Sequence, residues 1–192
     1  MGAISSQKLS GLNFGGMQNE IYNAGLEGRL PEFPVDFATL EARAHESLGP
    51  MMTNYIAGGC GDEHTQDSNA KAFHHWGMVP RMMVDCSERD LSIELFGHRL
   101  PTPLFMAPIG LNGDATQEKD GDKAAARASA ETGVPFCAST LANHSMEDVK
   151  KECGDTPAFF QLYTPKHRGL AESLIRRAEE AGYSALVITL DT

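Results

Sequence analysis

The sequence has few cysteines, little positive charge and no long apolar run, and each shortage narrows what the chain can be. Its four cysteines, Cys60, Cys86, Cys137 and Cys153, are widely separated. No CxxC or similar spacing is present, so neither a zinc ligand set nor a disulfide framework is expected. Cys137 lies in an apolar run and reads as a small core residue. Free thiols suit a reducing compartment. Lysine and arginine number 16 against 26 aspartates and glutamates, for a net charge of −10. Nucleic-acid and anionic-membrane binders normally present a basic face, so neither partner is expected. A small anionic substrate stays compatible, since one local arginine can hold a carboxylate. No apolar stretch reaches the roughly 18 residues of a membrane span, and the start lacks a signal-peptide core. The opening "MGAISS" fits the loose myristoylation pattern at Gly2, against the plainer reading of an unstructured start.

What is present is a rhythm. Residues 1–34 are rich in Gly, Asn and Ser and read as an extended arm; residues 35–192 read as the folded part. Asp36 can cap a helix carrying Phe37, Leu40, Ala44 and Leu48. Pro50 opens a second short helix that Gly58 and Gly59 stop, and a third runs from about Glu63 to Trp76. Two short extended pieces then meet at a turn around Gly97. From Leu104 onward, "LFMAPI", "PFCAST", "AFFQLY" and "ALVITLD" are strands. The helices between them cover residues 117–132, 145–153 and 167–181, and end at Gly133, Gly154 and Gly182. Ser145 and Asp148 form a capping box. Four strands alternating with three helices predict right-handed βαβ units on a parallel sheet.

The strands begin apolar and end polar, at Ser139 and Thr140, at Gln161 and Tyr163, and at Thr189 and Asp191. A polar side chain in a strand buried on both faces is costly without a partner. Polarity gathered at the C-terminal ends therefore marks a site, as in α/β barrels and open α/β sheets alike. The pattern does not distinguish half of a barrel from a small open sheet.

Five segments in order, "YIAGGCGDEHT", "WGMVPRMM", "APIG", "FFQLYTPKHR" and "RRAEEAGYSALVITLDT", resemble the FMN-dependent 2-hydroxy-acid oxidases and dehydrogenases. "AGGCGDEHTQ", "GDTPAFFQLY" and "LAESLIRRAEEAGY" are most similar to the lactate 2-monooxygenase branch. The resemblance runs from about residue 18 onward. It implies a TIM (β/α)8 barrel with an N-terminal helical segment, of which this chain holds about the first four strands. It implies FMN as cofactor, a small L-2-hydroxy acid, lactate by preference, as substrate, and O2 or another electron acceptor. The reaction passes a hydride equivalent from the substrate α-carbon to the flavin.

The resemblance also implies roles. Tyr55 would hydrogen-bond the substrate carboxylate as a neutral donor. Ala107, Pro108 and Ile109 would lay their backbone beside the flavin ring. Ser139, Gln161 and Thr189 would contact the flavin from successive strand ends. Tyr163, on the Gln161 face by two-residue alternation, would face the substrate. Asp191 would pair with the catalytic histidine and stabilise its protonated form. Leu141 stands where glycolate oxidase has tryptophan, which points to a different pocket. None of the seven histidines, His45, His64, His74, His75, His98, His144 and His167, matches the family base. His74 and His75 point about 100° apart on a helix and make a poor joint metal site.

By the same resemblance, the base, a flavin-side lysine, a substrate arginine and the phosphate site belong to strands five to eight. The chain alone is then expected to be inactive, with open strand edges. A fragment, one piece of a split enzyme and a degenerate copy all stay open. The alternatives are a lactate or glycolate oxidase that releases peroxide, and a non-catalytic half-barrel that associates with a full-length paralogue. A full-length protein is expected to be a homo-oligomer in the cytoplasm, with the peroxisome as the other location.

Overall fold

The computed structural model describes residues 16–85, 87–116 and 119–191. Gly2, Cys86 and the start of the helix expected at Gln117 lie outside them. The described chain divides into two compact units, Gly15–Arg89 and Asp90–Thr192.

The first unit is helical. The expected arm is not extended throughout: α1 occupies Gly16–Leu26. Helix α2 spans Phe37–Ala57 and bends at Gly49, whose φ of 74° breaks the helical path just before Pro50. The two short helices read from the sequence thus stand on either side of this kink, with Pro50 opening the second. Asp36 caps its start, accepting the Thr39 N–H at 2.9 Å. Helix α3, His64–Ala72, passes into a 3₁₀ turn at Phe73–His75. The "AGGCGDEHTQ" turn before it is tied by the Gly59 N–H donating to Glu63 Oε1 and the Gln66 side chain donating to the Ala57 carbonyl.

The second unit opens with a hairpin, β1 (Ile93–Leu95) and β2 (His98–Leu100), turning at Gly97. A parallel sheet follows in the order β3 (Phe136–Ala138), β4 (Ala158–Tyr163) and β5 (Ala185–Thr189). The expected strand at Leu104–Ile109 is reduced to one parallel bridge, Met106 with Phe136. Pro103 and Pro108 flank that bridge, and proline has no N–H to give a ladder. Only the Met106 N–H and C=O pair, with Pro135 and Cys137. Helices α4 (Gly121–Thr132), α5 (Met146–Glu152) and α6 (Arg168–Ala181) connect the strands. Gly133 and Gly182 end α4 and α6 in the left-handed region, where glycine meets no Cβ penalty. Ser145 caps α5 by accepting the Asp148 N–H.

The core lies between the sheet and these helices. Phe136, Ala138, Ala158, Phe160 and Leu162 face Ala126, Met146, Val149, Cys153 and Ala178. Tyr183 packs its ring 5.7 Å from Phe160 and donates its hydroxyl to the Met146 carbonyl at 2.7 Å. Alternation then assigns Cys137, Ser139, Phe159, Gln161 and Tyr163 to the opposite face. Register adds Ala185, Val187 and Thr189 to it.

Candidate functional site

The face turned away from the helices changes character along the strands. At the N-terminal end of β4, Phe159 takes edge-to-face contacts from Phe96 of the hairpin and from Phe105, with ring centroids 5.8 Å apart in both pairs. Phe159 is thereby buried at that end under aromatic neighbours. At the C-terminal end the same face is polar.

Three of the expected residues meet there. Gln161 is 3% exposed and Ser139 7% exposed, so both need internal partners. Gln161 Oε1 accepts from Ser139 Oγ at 3.3 Å and from the Thr140 N–H at 3.1 Å. Its Nε2 donates to Thr189 Oγ1 at 2.7 Å. One amide thus links the ends of three strands. Ser139 Oγ also accepts the Leu141 N–H at 3.1 Å. Thr140, not assigned a role from sequence, locks the pair from the other side. Its hydroxyl donates to the Gln161 carbonyl and accepts the Tyr163 N–H at 3.2 Å.

The geometry sorts these groups by what they have left to give. The Ser139 O–H is used on Gln161. Gln161 has spent its carbonyl on two donors and one N–H on Thr189. Thr189 only accepts in this row, so its half-buried hydroxyl keeps a donor for a ligand. The row therefore leaves two donors, the Thr189 hydroxyl and the second N–H of Gln161 Nε2, while Ser139 is used internally. Tyr163 is half-buried two residues beyond Gln161, and register sets it beside Thr189.

The turn after Met106 supplies a backbone ledge. Ala107 and Ile109 are exposed and Pro108 half-buried. At Gly110 an added Cβ would stand 3.2 Å from Leu141 Cβ and 3.8 Å from Ser139 Oγ, so this backbone closely approaches the strand-end row. Leu141, half-exposed, borders it. An exposed backbone ledge beside a row of hydrogen-bonding strand ends has the chemistry that a planar, polar-edged heterocycle requires. The donor set accordingly fits a flavin.

Asp191 is exposed just past β5. Tyr55 is exposed on α2, in the helical unit. Sequence reading also missed Asn143, which accepts the Gly113 N–H and donates to Asp114. Its only signal was a polar residue in the loop after β3. No helix among the described residues is long and apolar enough to cross a membrane.

Comparison with known proteins gives the family of the chain. Residues 44–192 match the family of FMN-dependent dehydrogenases. The chain is 36% identical over 182 residues to an FMN-dependent alpha-hydroxy acid dehydrogenase of Penicillium citrinum, covering 94% of this chain and 45% of that one. It is 39% identical over 160 residues to an L-lactate oxidase of Lysinibacillus sphaericus, covering 83% and 41% respectively. The crystal structure of a soluble mutant of (S)-mandelate dehydrogenase from Pseudomonas putida superposes with a TM-score of 0.72 at 39% identity, covering 79% of this chain and 42% of that one. The chain spans less than half the length of these relatives.

Proposed function

The chain belongs to the FMN-dependent dehydrogenase family, whose solved members are TIM-barrel flavoenzymes, and on that premise we propose that it supplies the flavin-facing strand ends of an oxidoreductase acting on a small L-2-hydroxy acid. Lactate is the proposed substrate. FMN, when bound, supplies the hydride acceptor. The observation that carries the reading is the row Ser139, Gln161 and Thr189, which joins three strand ends and leaves the Thr189 hydroxyl free to donate.

The chain's own residues divide the work of holding and orienting. Ala107, Pro108 and Ile109 give a backbone ledge for the flavin face. Ser139 and Gln161 fix Thr189 against its edge. Tyr163 presents a hydroxyl to the substrate, and Tyr55 donates to the substrate carboxylate as a neutral phenol beside an anion. Asp191 orients a base and stabilises it once protonated. None of the seven histidines matches that base, so the 192 residues alone are proposed not to turn substrate over. The proposal extends to a cytoplasmic or peroxisomal protein that is a homo-oligomer when full length, with O2 or another acceptor reoxidising the flavin.

The test is a chimera in which residues 44–192 replace the matching segment of the Lysinibacillus L-lactate oxidase. Anaerobic L-lactate should bleach its flavin, and in air the monooxygenase-like outcome yields acetate and CO2. Peroxide in place of those products marks a plain oxidase. A chimera that holds FMN but is reduced by neither lactate nor glycolate overturns the reading. Bleaching by the isolated chain overturns the claim that it is inactive alone.

A further inference from the structure

One buried acidic side chain has no part in the strand-end row. Asp122 is 1% exposed, in the first turn of α4. A carboxylate withdrawn from water is costly unless donors hold it. Asp122 Oδ2 accepts the Asn143 N–H at 2.7 Å. It also lies 3.5 Å from His144 Nδ1, a buried atom with no hydrogen-bond partner among the described residues. That approach is a contact between polar groups, without hydrogen-bond alignment.

Asn143 carries the connection onward. Its Oδ1 accepts the Gly113 N–H at 2.9 Å, and its Nδ2 donates to Asp114 at 3.0 Å. Beside it, the Leu111 N–H donates to the Leu141 carbonyl at 3.0 Å. The packing is close enough to need glycine. A Cβ at Gly121 would stand 2.4 Å from the Asn112 carbonyl oxygen, and one at Gly113 would stand 2.8 Å from Asn143 Cγ. The start of α4, the loop at 110–116 and the loop at 140–145 are therefore tied in one knot. Those two loops carry the Gly110 ledge and Leu141.

We propose that Asp122 is a positioning residue for the flavin site, fixing the Ala107–Gly110 ledge against Ser139 and Leu141 through Asn143. The inference rests on reading the strand ends as a flavin site. A plainer role is available: an acidic side chain in the first turn favours the helix through its charge alone. The two roles make different demands. A helix-end charge is lost in Asp122→Asn, whereas a positioning acceptor aimed at the Asn143 N–H is kept.

The experiment is amide hydrogen exchange by NMR on the full chain, followed by addition of FMN and measurement of the chemical-shift changes at Ser139 and Leu141. In Asp122→Ala the Gly113 and Asn143 amides should exchange roughly tenfold faster, as loss of the hydrogen bond that Asp122 accepts implies. The Phe160 amide should be unaffected, and the FMN response at Leu141 should disappear. Asp122→Asn should keep both protection and response. If Asp122→Ala does not fold, Asn143→Ala carries the same expectation at Gly113 and Leu141. A wild-type FMN response that persists unchanged in the alanine variants overturns the positioning role, as does Asp122→Asn behaving like Asp122→Ala. A wild type with no FMN response overturns the flavin reading instead.

Discussion

Replacing Gln161 by leucine isolates what the strand-end row contributes to the fold. Leucine fills most of the same volume and is at home in a buried strand, but it removes the amide. Three hydrogen bonds go with it, from Ser139 Oγ, from the Thr140 N–H and to Thr189 Oγ1. The bond from the Thr140 hydroxyl to the Gln161 backbone carbonyl survives, so strand register is not what the change perturbs. At about 0.5–1.5 kcal/mol net for each lost bond, the gross loss is about 2–4 kcal/mol. The 3.3 Å bond contributes least, and the half-buried Thr189 can rehydrate. Better burial of an apolar side chain returns about 1 kcal/mol. The net expectation is a destabilisation of about 2 kcal/mol. Urea unfolding followed by far-UV circular dichroism should show a lower midpoint at unchanged slope. A change below about 0.5 kcal/mol would refute the claim that this amide joins the three strands.

Burial pushes the Cys137 thiol up to about 12 and the Cys153 thiol up to about 11, whereas Cys60 is exposed. Iodoacetamide at pH 8 should therefore label Cys60 in the native chain and reach Cys137 and Cys153 only in denaturant, as peptide mass spectrometry would show. Arg177 donates to both oxygens of Glu147, from Nε at 2.7 Å and from Nη2 at 2.9 Å, and so holds that carboxyl below its usual range. Both side chains are nearly half exposed, so Glu147→Gln should cost less than about 1 kcal/mol at pH 7. Because the folded-state value is the lower one, this stabilisation is present above the unfolded carboxylate value of about 4.3. It is lost as pH falls through the folded value, so the two unfolding curves should converge in acid.

Much of this architecture was legible because its punctuation is local. Asp36, Ser145, Gly133 and Gly182 each act within one turn of chain, and the helices begin or end where they stand. Ser139, Gln161 and Thr189 stood out as polar residues closing apolar strands, and the sheet register brings those endings together. What depends on distant partners was hidden. Asp122 looks in sequence like any acidic first-turn residue, and its partner Asn143 lies 21 residues away. That Gln161 ties Ser139, Thr140 and Thr189 together through one amide was equally invisible. The strand at Leu104–Ile109 was over-read, because apolar character outweighed the two prolines that limit its pairing to Met106. The helix at Gly16–Leu26 was missed because glycine and asparagine dilute its pattern.

The central claim is that the polar strand ends face a flavin, and binding mapped residue by residue tests it most directly. FMN titrated into the isotopically labelled chain should move the Gln161 side-chain amide and the Thr189 and Leu141 backbone amides together along one saturable curve. Thr189→Val keeps the shape and removes the hydroxyl, so it should weaken that curve by about fivefold to tenfold, the equivalent of one hydrogen bond. Shifts confined to the outer faces of α4–α6, or an unaltered curve in Thr189→Val, would contradict the account.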